Sequence, residues 1–364
     1  MRKPRTGGSV LRLRSFAAAL CLLALACVLA EGARATSPPS IDELFDLLGF
    51  SAEERSAVMR GDIITRDQET LREDHLSAAV AMRLAVPVEA LRVDAATGRN
   101  LVRDPNIVTV GPLRDGTADW QDQAFGAGEA EEAQRLQEDR GGGDFNLSAA
   151  EAARVARGVA RGVARGAAGG AAGPEAGISA LYREILLARQ AAYRAEGLAA
   201  IAPYRRNGTT LRPGTGLAAV STPKNIALLR HFPDFAAALA DYPRARRPGV
   251  AHGHYWIKRE ISGRPNYILV HQVVSGGADH TIFAMREYYV GHTYEALQFF
   301  LLALPAEGGS LVVLVTSTFA DRATGFFNEL ARWFGQGRMR DDLQRHFEAL
   351  KAEPAESWAI ATEP

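Results

Sequence analysis

The chain has 364 residues, 42 basic and 42 acidic side chains, and only two cysteines. This neutral balance argues against nucleic acid as the main partner, since nucleic-acid-binding proteins usually carry a basic surface. Both cysteines, Cys21 and Cys27, precede residue 30, so the remaining chain has no disulfide, thiol nucleophile or thiolate metal site.

The N-terminal residues have the three parts of a secretory signal peptide. Basic residues between Arg2 and Arg14 precede the apolar run 16–30, and Ala33-Arg34-Ala35 follows. The run is short for a membrane span, which needs about 20 residues. We therefore expect residues 1–35 to be cleaved after Ala35 and the protein to be exported, as a periplasmic or secreted form. A lipoprotein signal at Cys27 is the alternative.

Removal of the signal peptide would change the charge of the chain. The segment contains six basic residues and one acidic residue, so the mature protein would be mildly acidic. No second long apolar run occurs. We expect no stable membrane span after processing and no nucleic-acid partner.

Residues 36–112 are typical of two short helices followed by the first strands of a domain. Ser40 and Ser51 each stand three residues before a glutamate, which is the capping-box pattern at a helix start. Strands are expected over 62–66, 75–84 and 106–110. A helix is expected to begin near Pro87, because proline pre-sets the first helical turn.

Residues 113–250 are predicted to form a mainly helical insertion. Helices are expected over 178–198, 225–231 and 235–242, with a loop over 199–222. Val-Ala-Arg-Gly occurs three times from Val155 to Gly166, and each glycine costs a helix about 1 kcal/mol. A helix is expected to begin after Ser148 and to run into this repeat, and we interpret 155–177 as a Gly/Ala/Arg-rich linker segment, half helix and half flexible linker. An anion-binding stripe of the repeat's arginines is the alternative.

Residues 251–351 are predicted to be antiparallel strands with a closing helix, followed by a tail over 352–364. Strands are expected over 254–261, 266–274, 281–290, 294–304 and 311–315, and the helix over 322–350. Alternation within 281–290 predicts one face that carries Phe283, Met285, Glu287 and Tyr289. The next strands are apolar on both faces, which predicts that both faces of the sheet are covered.

These elements predict an α+β fold, in which a curved antiparallel sheet wraps a long C-terminal helix and the insertion interrupts its strands. The order resembles the helix-grip superfamily of START domains, polyketide cyclases and plant pathogenesis-related allergens. The chain also resembles a family of uncharacterised exported bacterial proteins with a late Tyr-x-x-His-Tyr-x-Asp pattern, which stands here as Tyr289-Val-Gly-His292-Thr-Tyr294-Glu295. That family's Asn-Arg-Ser-Arg-x-Asp stands here as 316–321, without either arginine, and Gly-Gly-Gly-Asp replaces a cysteine pair at 141–144.

The superfamily resemblance implies a cavity between sheet and helix that holds an apolar ligand. We therefore expect an exported binding protein for a hydrophobic small molecule or lipid, with no cofactor. An enzyme with a His/Tyr/Glu acid–base set on the central strands is one alternative. A structural or protein-interaction role is the other.

Polar side chains on the central strands are the candidate ligand-binding residues. His292 follows Gly291 at a break in a regular strand, so we expect it to matter more than any other histidine. A buried polar network that anchors this break is the alternative interpretation. The candidates are Glu287, Tyr289, His292, Tyr294, Glu295 and His271.

The sequence favours neither a metal site nor a common catalytic motif. His252 and His254 share a strand face, and His271, His280 and His292 are expected in neighbouring strands or turns. Two or three of these histidines with Glu287 could bind zinc, but no third ligand stands at a fixed spacing, so we expect no metal. The chain lacks G-x-S-x-G, a Walker loop, G-x-G-x-x-G and H-E-x-x-H. Those absences remove the common hydrolase, nucleotide and zincin routes.

Overall fold

The computed structural model describes most of the chain downstream of residue 36. The expected signal peptide and residues 320–327, which include the position where the closing helix was expected to begin, lie outside the described residues. Across the described ranges, every helix is too short or too polar to span a bilayer. The described ranges are 37–70, 72, 74–113, 125, 127–139, 143–166, 174–206, 208–219, 223–319 and 328–358.

The chain alternates short helices, strands and a helical middle. The helices are α1 (Ile41–Leu48), α2 (Ala52–Arg60), α3 (Val88–Thr97), α4 (Ala130–Glu138), α5 (Ala149–Gly166), α6 (Pro174–Glu196), α7 (Pro213–Ala219), α8 (Pro223–Leu229), α9 (Pro233–Ala240) and α10 (Asn328–Ala352). The strands are β1 (Ile64–Asp67), β2 (His75–Leu84), β3 (Ile107–Pro112), β4 (Tyr204–Arg206), β5 (Thr209–Leu211), β6 (Val250–Ile261), β7 (Arg264–Gly276), β8 (Thr281–Val290), β9 (Ala296–Ala306) and β10 (Gly309–Phe319).

Eight strands form one antiparallel sheet in the order β1-β2-β10-β9-β8-β7-β6-β3, and β4 and β5 form a separate two-stranded sheet. The helix α3 joins β2 to β3 at opposite sides of this sheet, and the long helical middle joins β3 to β6. The fold is therefore α+β with a large antiparallel sheet, as the element order predicts.

Helices cover both faces of the sheet, as the doubly apolar strands predict. We call the side of α3 and α10 the α10 face, where Leu91, Phe347 and Leu350 belong to the same apolar cluster as Val270 and Val312 of the sheet. The other side is the insertion face. It has two apolar clusters, one with α1, α2, α8 and α9, and one with α4, α5, α6 and α7.

The two capping boxes predicted at Ser40 and Ser51 are confirmed. Ser40 and Ser51 cap α1 and α2, and each accepts a hydrogen bond from the backbone N–H of the glutamate three residues on. The glutamate side chain in turn accepts from the serine N–H, which completes each capping box. Gly49 and Gly61 end these helices in the left-handed conformation.

The structure differs from the predictions in the insertion. Helix α5 covers the repeat to Gly166, which is the half of 155–177 expected to be helical, and α6 begins at Pro174, within the half expected to be a flexible linker. Val155 is fully buried in the cluster that α6 completes, and this tertiary packing offsets the glycine penalty. The expected loop 199–222 contains the β4–β5 hairpin and α7, which the sequence analysis missed.

Gly335 lies where the closing helix α10 approaches β2 of the sheet. A Cβ at this position would lie 2.8 Å from Leu76 Cδ1 in β2. The glycine therefore allows α10 to approach the sheet more closely than alanine would. This contact offsets part of the roughly 1 kcal/mol that glycine costs a helix interior.

We predict that Gly197→Ala destabilises the protein much more than Gly263→Ala. Both glycines have similar positive φ values, 67° and 73°, so alanine costs about 1–2 kcal/mol at each through backbone strain alone. A Cβ at Gly197 would also lie 2.1 Å from the backbone oxygen of Tyr242, whereas none lies near Gly263. We expect a further loss of about 1–3 kcal/mol at Gly197, measured by urea denaturation. Equal losses would contradict this packing of α6 against the loop after α9.

Candidate functional site

A β-bulge in β8 decides which face each candidate residue occupies. Leu269 pairs with Tyr289 but Val270 pairs with Glu287, so Tyr288 is an extra residue. As a result Tyr288 and Tyr289 both lie on the insertion face, and the alternation is reversed beyond them. The prediction that Glu287 and Tyr289 share a face is wrong for this reason. The sequence predicted a break at Gly291, and the bulge lies three residues before it, at Tyr288.

The sheet divides the six candidate residues into two groups. Glu287 and Tyr294 lie on the α10 face, where they contact each other. Tyr289 and His271 lie on the insertion face, and His292 and Glu295 contact residues of the insertion. The acid–base set of Glu287, Tyr289, His292 and Glu295, which the enzyme alternative would use, is therefore not assembled around one pocket.

On the α10 face, Arg259 holds two carboxylates together. Its guanidinium donates to Glu287 at 3.0 Å and to Asp104 at 2.9 Å. The hydroxyl of Tyr294 donates to the other oxygen of Glu287 at 2.5 Å. Glu287 is completely buried and Arg259 is largely buried. We call these four residues the Arg259 cluster.

One arginine cannot neutralise two buried carboxylates, and the two carboxyl groups respond differently. Burial raises the pKa of Glu287, and Arg259 and Tyr294 offset this only in part. Burial also acts to raise the pKa of Asp104, but there the charge of Arg259 prevails and the pKa is lowered. Asp104 is thus the fixed anion, and Glu287 is the carboxyl group that is easier to protonate.

Partly exposed apolar side chains lie on the same face of the sheet as the Arg259 cluster. Leu297 is paired with Glu287 across β8 and β9, and Phe299 follows it on the same face. Leu343 of α10 also packs against this face without being fully buried. The cluster therefore forms the polar end of an apolar surface between the sheet and α10.

On the insertion face, Tyr289 belongs to a buried network. Its hydroxyl lies 2.9 Å from that of Tyr182 in α6, and the Arg189 guanidinium lies 4.6 Å from its ring centre. Arg189 donates to Glu151 of α5 at 2.5 Å. Tyr289 therefore joins the sheet to the helices of the insertion.

Glu295 and His292 anchor the bend after β8. Glu295 is fully buried and pairs with Arg206 of β4, which also donates to Asn146 at 2.5 Å. His292 Nε2 lies 3.1 Å from the carbonyl oxygen of Pro265, and a carbonyl can only accept. His292 thus carries its proton on Nε2, and Nδ1 accepts from Thr293 at 2.6 Å. This geometry favours the network interpretation of His292.

His271 lies among other aromatic rings under α6 and α9. It stacks on His254 with a centre separation of 4.5 Å, and its Nε2 lies 2.9 Å from His252 Nδ1. Its Nδ1 lies 2.8 Å from the Tyr193 hydroxyl. Within the described ranges, no group of three or more His, Cys, Asp or Glu side chains has a geometry that could hold a metal ion. Glu287 lies on the opposite face, so it cannot join these histidines.

The sequence analysis missed the partners of the candidate residues. Arg259 had a detectable signal, since it stands between Ile257 and Ile261 at a period of two on an apolar strand face. Arg206 lay in the expected loop, and nothing local links it to Glu295, 89 positions away. A shallow groove of about 330 Å³ beside Leu198, Ile201 and Arg212 contains none of the predicted residues.

We predict that Glu287 makes the folded protein less stable as pH rises above its ordinary pKa of 4.5. A raised folded-state pKa means that the folded state binds the proton more tightly. Its contribution to stability is therefore fully present at low pH and is lost as pH rises to the folded-state pKa, at up to about 1.4 kcal/mol per pH unit.

Glu287→Gln should abolish this loss, as measured by urea denaturation over a range of pH values. Glu307→Gln, at an exposed turn, is the control and should follow the wild-type pH dependence. Parallel curves for Glu287→Gln and wild type would show that Glu287 does not titrate in this way.

Comparisons with known proteins assign no family. No protein-family model matches the chain, and no curated protein matches it. Among solved structures, the crystal structure of Ara h 8.0201 matches with a TM-score of 0.19 and 15% sequence identity, and the match covers 29% of this chain. The chain spans 64% of that structure, which is less than two thirds of its length. The fold description therefore rests on the helices and strands themselves.

Proposed function

We propose that the protein binds a hydrophobic small molecule or lipid on the α10 face, between the sheet and α10. The observation that carries this proposal is the partly exposed apolar surface of Leu297, Phe299 and Leu343, which ends in the Arg259 cluster. Ligand pockets are mostly apolar and have a few polar groups that fix the orientation of the ligand. An apolar molecule with one polar end fits this arrangement.

The ligand would occupy one end of this face and not its centre. The centre is filled by described side chains such as Met82, Val270 and Phe347, all of which are nearly fully buried. Within the Arg259 cluster Tyr294 remains partly exposed, and so do Leu297 and Phe299 on the same face. The Tyr294 hydroxyl and the Arg259 guanidinium are the groups nearest this end that could hold a polar head.

We further propose that the sheet, α3 and α10 form a helix-grip-like unit. The strand order places β2 beside β10, and α3 leads from β2 to β3 at the other side of the sheet. Arg340 of α10 lies 3.0 Å from Asp67 of β1. Burial raises the pKa of Asp342, two residues later in α10, and the charges of Arg345 and then of Arg259 from β6 oppose this rise. A flat sheet would hold β1 and β6 about 29 Å apart, so the contact with β1 together with the influence of Arg259 supports curvature around α10.

The enzyme alternative is supported by Glu287 but not by the other members of its acid–base set. Glu287 has a raised pKa and a short hydrogen bond to Tyr294, which suits a general acid. Its expected partners Tyr289, His292 and Glu295 contact the other face and the insertion. Binding therefore has the stronger support.

Native mass spectrometry of protein purified from its host tests the binding proposal directly. We expect a co-purified hydrophobic molecule, and Leu297→Gln should lower its retention per folded molecule about tenfold or more, because a leucine contributes about 1.5–3 kcal/mol when buried. Leu187→Gln is the matched control, since Leu187 is 40% exposed on α6. An empty wild-type protein that also ignores a panel of fatty acids, or equal effects of the two variants, would refute the proposal.

We also propose that the protein is exported and cleaved after Ala35. The basic, apolar and Ala-x-Ala segments of the N-terminus support this proposal. Intact-mass measurement of the protein from the periplasm or medium should give a chain that begins at Thr36. A mass that includes Met1 would exclude cleavage, and a lipid-modified chain that begins at Cys27 would establish the lipoprotein alternative.

A further inference from the structure

A row of polar side chains crosses the insertion face between its two apolar clusters. The residues are direct cross-strand neighbours on six adjacent strands. All but the first, which is partly exposed, are at most 3% exposed. Polar groups are costly in such a position unless they have partners. In spatial order from β6 to β2 the row is His254, His271, Arg286, Gln298, Ser317 and Ser77.

Arg286 is a buried cation with neutral partners. Its Nε donates to Gln298 at 2.9 Å, and its Nη1 lies 3.2 Å from the Tyr193 hydroxyl and 3.4 Å from the carbonyl oxygen of Leu239. It forms no ion pair with any residue that the structure describes. A buried positive charge without a carboxylate is strongly unfavourable unless another negative group compensates it.

Hydrogen bonds link Arg286 through Tyr193 and His271 to His252, and in each of them the group nearer Arg286 is the donor. Arg286 can only donate, so the Tyr193 oxygen accepts from it and the Tyr193 proton points to His271 Nδ1. His271 must then carry its own proton on Nε2, which donates to His252 Nδ1. His252 in turn carries its proton on Nε2. That Nε2 is buried and has no hydrogen-bond partner among the described residues.

The surroundings of this unpaired donor are positive or neutral. Burial, and next the charge of Arg246, lowers the pKa of His252. Burial, Arg194 and His252 lower the pKa of His254 to about 3, and its Nδ1 is also buried without a described partner. The pKa of His271 is lowered by burial, then by His254 and Arg286. Burial and basic side chains are thus the leading causes of all three shifts.

We propose that the histidine cluster of His252, His254 and His271 is a binding site for an oxyanion, such as a carboxylate or phosphate group. An anionic oxygen would accept from His252 Nε2–H, and its charge would compensate Arg246 and, through the hydrogen-bonded chain, Arg286. The neutral imidazole of His252 acts as the oriented donor, and His271 fixes its tautomer. This site lies on the opposite face from the proposed hydrophobic ligand and does not depend on that proposal.

The test is a titration of the full chain with sodium acetate and, separately, inorganic phosphate at constant ionic strength. Long-range ¹H–¹⁵N NMR spectra of the histidine rings report both the tautomers and the binding. We expect the Nε2–H tautomer at His252 and His271, and a saturable shift at His252 with one anion. The anion that saturates at lower concentration distinguishes a carboxylate from a phosphate ligand.

Two neighbouring arginines provide a matched comparison. Arg246→Ala should weaken anion binding about tenfold, as expected for the loss of one charged partner. Arg247→Ala should leave it unchanged, because Arg247 lies 3.6 Å from Asp234 instead of acting on the cluster. Both residues are exposed, so both variants should fold.

Tyr193→Phe tests the chain of hydrogen bonds that leads from Arg286 to His252. Without the hydroxyl, the proton on His271 is no longer fixed, so the tautomers should change and anion affinity should fall. Shifts that never saturate, an Nδ1–H tautomer at wild-type His252, or equal affinities of Arg246→Ala and Arg247→Ala would each overturn the proposal. The arginine pair decides the question even if Tyr193→Phe does not fold.

Discussion

Burial of the sheet on both faces is the constraint on which the placement of every central polar group depends. Strands β7, β8, β9 and β10 lie between helices, so a polar side chain on them has little access to water. Each must find its partner within the protein layer that it faces. Glu287 finds a charged partner in Arg259, whereas Arg286, one residue earlier and on the other face, finds neutral partners. Adjacent residues of one strand thus belong to unrelated electrostatic environments.

The bulge at Tyr288 adds a second constraint. Without the extra residue, Tyr289 would point towards α10 with Glu287, and the sheet would lack its contact with Tyr182. With it, two successive tyrosines face the insertion, where Tyr288 stacks on Tyr193 at 3.9 Å and Tyr289 meets Arg189. One inserted residue therefore gives the insertion two aromatic contacts and leaves Glu287 with Tyr294 on the other side.

Sequence patterns predicted much of the fold, because helix starts and strands depend mainly on residues that are close together in the sequence. The capping boxes at Ser40 and Ser51, the strand over 75–84 and the strand over 281–290 have the predicted bounds or lie within two residues of them. The site was less predictable, because its geometry depends on register. No property of residues 281–290 alone indicates that Val270 pairs with Glu287 while Leu269 pairs with Tyr289. The Glu295–Arg206 pair likewise joins segments that only the tertiary fold brings together.

The insertion is part of the core of this fold and not a module attached to it. Its helices contribute Val155, Tyr182 and Ile185 to the same apolar cluster as Leu269 and Tyr289 of the sheet. Two buried ion pairs, Arg189–Glu151 and Arg206–Glu295, lie in this region. Because removing one partner of such a pair leaves an uncompensated buried charge, cutting out the insertion would leave Glu295 and the tyrosines of β8 without partners. The sheet could then keep its strand order only by exposing an apolar face, so sheet and insertion must fold as one unit.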